Sequence, residues 1–141
     1  MPEPDDDGGS TLLLLPSAVL VLFLLTSLAV DGAATFLAQR QLADVCAGAA
    51  NDAAAVALDV DQLYGNADTT IDLARVQTLT RDRVAPLVAR WGRAVDVDAE
   101  VLGPDVRLRL AASVPLPIGP GGSGRARADI TATCRAATVR R

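Results

Sequence analysis

Reactive chemistry in this 141-residue chain is confined to two thiols and a scatter of carboxylates. Cys46 and Cys134 are the only cysteines, and there is no histidine. All thirteen basic residues are arginine, so no amine nucleophile is present either. A nucleophilic thiol wants a basic partner, and a general base is most often an imidazole, so both roles lack their usual residues. A metal would need more ligands than two sulfurs. Two chemistries are left for Cys46 and Cys134: a disulfide, or two buried free thiols. Asp96, Asp98 and Glu100 are the other candidate group, but they alternate with apolar residues, which puts them on one wet face of a strand rather than in a cleft. The expectation is a protein that is not an enzyme, with no cofactor and no metal. A net charge of -4 gives no electrostatic footprint for nucleic acid.

The elements that must position these residues begin with an anchor. Thr11 to Val30 is an uncharged run, TLLLLPSAVLVLFLLTSLAV, preceded by Asp5, Asp6 and Asp7 and followed by Asp31. Such a helix covers about 30 Å, the hydrocarbon thickness of a bilayer. A helix apolar on every face has no place on a small soluble domain. The competing reading is a cleaved signal peptide, with small residues at Ser27 and Ala29. Its leading segment should be basic, whereas residues 1–10 carry four acids and no arginine. The chain is therefore divided into a short acidic tail (1–10), a membrane helix (11–30) and a domain (31–141), with Asp31 marking the membrane boundary. Pro16 falls inside the span, where membrane helices tolerate it.

From 31 to 64 the sequence is alanine-rich and free of proline, which predicts a helix continuous with the span. Gly65-Asn66 ends it. Ala43, Cys46, Ala50, Ala53 and Ala57 recur at three, four and seven and form a small-residue stripe suited to close helix packing. A second helix is expected over 70–91, capped by Thr69 or Thr70. Leu73, Val76, Val84, Leu87, Val88 and Trp91 make its apolar side, and Pro86 kinks or divides it near Asp82. Three segments then alternate with period two: about 94–102, 105–114 and 125–136. They are separated by Gly103-Pro104 and by the Pro/Gly-rich stretch 115–124. This patterning predicts a three-stranded antiparallel sheet with one wet face, its apolar face covered by the two helices. The fold class is α+β. If the long helix packs on this sheet, Cys46 and Cys134 meet in one interface. A disulfide there stabilises by roughly 4 to 5 kcal/mol in the chain-entropy model.

Gly9-Ser10 before the apolar run, Ala29-Val30-Asp31-Gly32 at its end, the segment Phe36 to Leu42 and the Ala/Asp/Asn run Ala43 to Asp59 carry a likeness. Over these fifty or so residues the chain resembles the N-terminal segment of TadE/TadG-like proteins of the tight-adherence (Flp) pilus system. Five residues after Gly9 stands Leu14, not the glutamate of a prepilin processing site. The resemblance implies a pilin-like architecture and a part in assembling a pilus or related envelope secretion apparatus. It implies as partners the lipid bilayer and other membrane proteins of that apparatus, with a homo- or hetero-oligomer formed through the N-terminal helix. It also implies a cytoplasmic-membrane location. The acidic N-terminal flank opposes a positive-inside count, but the paired cysteines and the resemblance both put the C-terminal domain outside the cytoplasm. The alternative is a tethered module that binds a peptide or envelope polymer through a sheet edge or the stretch 115–124.

Overall fold

The computed structural model describes residues 10–64, 72–102, 105–119 and 125–137. Alanine, leucine and valine dominate the first of these stretches, and it forms one unbroken helix, α1 (Ser10–Tyr64). Its 55 residues make it about 80 Å long. There is no interruption at Asp31, so the apolar run and the alanine-rich segment are two halves of a single rod. In the apolar half, hydroxyls turn back on the helix: Ser17 donates to the Leu14 carbonyl at 2.9 Å and Thr26 to the Leu22 carbonyl at 2.8 Å. Those bonds satisfy two hydroxyl donors on an otherwise apolar surface.

The second helix, α2, spans Leu73–Trp91. It is capped by Asp72, whose side chain accepts from the Ala74 N–H at 2.9 Å. The expected caps Thr69 and Thr70 lie outside the described residues, as do Gly65-Asn66. At the other end Gly92 adopts φ 65° and its N–H donates to the Val88 carbonyl at 2.9 Å. Pro86 does not divide the helix. Both Pro86 and Asp82 are exposed, so the Asp82 carbonyl freed by proline is open to water. The buried side of α2 is Val76, Thr80, Val84 and Leu87, while Leu73, expected in the core, is 41% exposed. Thr80 takes a core position because its hydroxyl is satisfied locally, by the Val76 carbonyl at 2.8 Å.

The strands are β1 (Asp96–Leu102), β2 (Asp105–Pro115) and β3 (Arg127–Ala137), each within two residues of the expected bounds. They form an antiparallel sheet in the order β1-β2-β3. Val106, Leu108, Leu110 and Val114 are buried from β2, with Ile130, Ala132 and Ala136 from β3 and Ala99 from β1. This one face is covered by α1, which lies over β2 and β3, and by α2, which lies over β1. The two helices are antiparallel, as their cross-links show: Arg90 donates to Gln41 at 3.5 Å, and Arg83 pairs with Asp52 at 2.7 Å.

Candidate functional site

The rotation of α1 about its own axis decides which residues it offers to a partner and which it uses itself. Ala38, Leu42, Cys46, Ala49, Ala50, Ala53 and Ala54 are buried against the sheet and α2. Of the expected small-residue stripe, Cys46, Ala50 and Ala53 are therefore part of the intramolecular core and closed to another helix. Ala43 is exposed, and the side chain of Ala57 lies outside the described residues. At Cys46, Ala50 and Ala53 the stripe packs within the chain. An alanine-rich helix carries small residues on every side, so its spacing alone does not fix which side turns inward.

Three ties hold α1 along its seam with the sheet. The Asp31 carboxylate accepts the backbone N–H of Ile118 at 2.9 Å and of Gly119 at 2.8 Å. The Gln39 amide donates to the Thr131 carbonyl at 3.0 Å. Cys46 and Cys134 form a disulfide, with Cα atoms 5.9 Å apart, inside the usual range for such a bridge. Asp31, Gln39 and Cys46 follow one another at about two helical turns, so one line along α1 carries all three. That spacing is visible in the sequence. What it ties to is not, because each partner lies some ninety residues away.

Asp31 thus has an engagement beyond the boundary role expected of it. Its two acceptor oxygens hold the segment after β2, where Gly119 is buried at φ 66° and a Cβ would stand 2.7 Å from that of Ala126. Leu116 N–H donates to the Ala126 carbonyl at 2.9 Å, which closes the same segment onto the approach to β3. Residues 120–124 of the Pro/Gly-rich stretch lie outside the described residues.

The other face of the sheet is charged and wet. Asp98 stands opposite Arg109 and Glu100 opposite Arg107, with Arg107 and Glu100 3.9 Å apart. Arg107 also faces Arg135 in register, and Arg135 turns instead to Asp105, with which it forms an ion pair. Asp98, Glu100, Arg107, Arg109, Thr131 and Thr133 line a shallow groove on this face. Each acid in it has an arginine opposite in register, and the exposed Glu100–Arg107 pair contributes little to stability. Among the described residues no three His, Cys, Asp or Glu side chains converge as a metal would require.

The apolar half of α1 stands clear of everything else. Leu15 and Leu28 are each 72% exposed, and no part of the most apolar window of α1 is buried within the fold. One helix of the described residues is thus long and apolar enough to cross a membrane.

Comparison with family models, with curated proteins and with solved structures finds no match. Function has to be argued from the chain's own geometry.

Proposed function

We propose that this chain is a membrane-anchored assembly protein of pilin-like build, working in a Tad/Flp-type pilus or a related envelope secretion apparatus. The observation that carries this reading is the shape of α1. Its inner half is an unclothed apolar rod, and its outer half is the spine of a small α+β domain. A naked apolar rod of this length is costly in water and stable in lipid. The disulfide supports an extracytoplasmic domain, since such bonds persist where the surroundings are oxidising. The resemblance of residues 9–59 to TadE/TadG-like proteins supports the pilus setting.

Contact with partner helices is assigned to the outer side of α1. Ala33, Ala43 and Ala47 are exposed there, and small side chains let a second backbone approach closely. The test is Ala47→Trp in the full-length membrane protein. The expected result is an unchanged thermal midpoint with loss of self-association and of co-purifying pilus membrane proteins. Unchanged association would overturn assembly through this side.

A tethered binding module is the second reading. It is favoured by β3, which among the described residues pairs with β2 on one side only and leaves an 11-residue edge. Against it, the backbone N–H groups of Ile118 and Gly119 in the 115–124 stretch are already held by Asp31.

A further inference from the structure

Asp31 follows directly on the apolar run, and a first charge after such a run ordinarily marks where lipid ends. Its carboxylate is only partly exposed, however, and both oxygens accept backbone N–H groups from Ile118 and Gly119. A carboxylate so engaged does not require water around it. Past Asp31 the exposed side of α1 stays apolar: Phe36 is 66% exposed and Leu37 57%. The first exposed charge on α1 beyond the apolar run is Arg40. Leu14 to Leu37 makes about 36 Å of helix, more than the hydrocarbon core and enough to enter the interfacial layer.

The domain has a matching base at this level. Asp31 holds Ile118 and Gly119 beside the start of the rod's outer half. No charge occurs from Ala111 to Gly124, and Pro115 and Pro117 are exposed, with Leu116 and Ile118 half-buried. Pro115 pairs with Arg127 in register, so Arg127, and Arg125 two residues before it, stand at the same end of the sheet, both exposed. Between this base and α1 runs an open concavity lined by Gly32, Thr35, Phe36, Gln39, Leu116 and Ala128, with Asp31 at its side.

We propose that the base of the domain, Leu116–Ile118 together with Phe36 and Leu37, is seated in the interfacial layer of an anionic bilayer, with Arg125 and Arg127 at the level of its phosphates. This rests on the membrane reading of α1. The lipid surface is the occupant because the apolar side of Phe36 and Leu37 is continuous with the span. Apolar groups ringed by arginine are also the composition that an interface with anionic headgroups selects. The domain then sits on the membrane in one orientation instead of swinging on a free stalk.

The test uses the full chain reconstituted into vesicles, with Trp91→Phe as background and one tryptophan introduced at a time. The four positions are Leu22→Trp in the span, Phe36→Trp and Leu116→Trp at the base, and Thr133→Trp on the wet face. Quenching is read from lipids carrying a spin label near the headgroup or deep in the acyl chain. Leu22→Trp should be quenched by the deep label, and Phe36→Trp and Leu116→Trp by the shallow one. Thr133→Trp should be quenched by neither. If Leu22→Trp is quenched while both base positions behave as Thr133→Trp does, the inference falls and the anchor stands. If Leu22→Trp is also unquenched, the membrane reading itself is wrong. Arg125→Gln with Arg127→Gln should weaken quenching of Leu116→Trp in phosphatidylglycerol vesicles and leave it unchanged in phosphatidylcholine. Equal values in phosphatidylglycerol with and without the two substitutions overturn the role of the arginines.

Discussion

At the scale of single residues, Asp31 shows how one carboxylate can define the position of a distant segment. It sits inside α1, yet what it stabilises is the turn that leaves β2, through two N–H donors at 2.9 and 2.8 Å. Asparagine in its place keeps the shape but offers a single acceptor oxygen and no charge. Asp31→Asn is expected to cost about 1–2 kcal/mol locally, read as faster amide exchange at Ile118 and Gly119. Exchange in the buried core of β2 should stay unchanged, because a surface segment opens without the rest of the fold. Gly119 belongs to the same device. Its φ of 66° and the 2.7 Å approach to the Ala126 Cβ require a residue without a side chain. Neither dependence is visible in the sequence, where Asp31 reads as a span boundary and Gly119 as one glycine among several.

At the scale of elements, the strands were the most legible part of the chain and the packing of α1 the least. Alternation is a local signal, and each of the three strands presents apolar residues at every second position, mostly with charged or hydroxyl side chains between them. Their approximate bounds follow from that signal, while the order and register come from the structure. The helix gives no such contrast. Around Cys46 it has alanine or glycine at Ala43, Ala47, Gly48, Ala49 and Ala50, so the interior line had to come from larger residues. Leu42, fully buried, is the best marker of that line. Thr80 was overlooked for a related reason, since a hydroxyl reads as polar until its bond to the preceding turn is seen. The corrected rotation makes a paired prediction. Ala50→Leu overfills a position that is 1% exposed and should destabilise by about 1–3 kcal/mol. Ala43→Leu on the open side should change stability by less than about 0.5 kcal/mol. Denaturant midpoints of the two variants check this, and equal effects would mean the rotation is wrong.

At the scale of the whole molecule, the domain is small and its core is built largely of alanine, valine and leucine. A covalent bridge between α1 and β3 then matters more than it would in a larger protein. The separation of 88 residues closes a long loop, and its loss should remove about 4–5 kcal/mol in the chain-entropy model. Reduction, or Cys134→Ser, is therefore expected to lower the thermal midpoint by on the order of 20 °C. A scan with and without reductant measures it. A shift of a few degrees would show that the ties at Asp31 and Gln39 and the packed core suffice without the bridge.

The same bridge gives the chain a mechanical character. A pull between the apolar half of α1 and the end of β3 runs up α1 to Cys46, crosses the sulfurs, and leaves through Cys134. The intervening residues carry none of that tension and cannot be drawn out. Some 87 residues, roughly 300 Å of extended chain, are withheld from the line of force. In single-molecule stretching the oxidised protein should behave as a nearly inextensible link, and reductant should release that slack. Under load, this is the difference between a rivet and a spring.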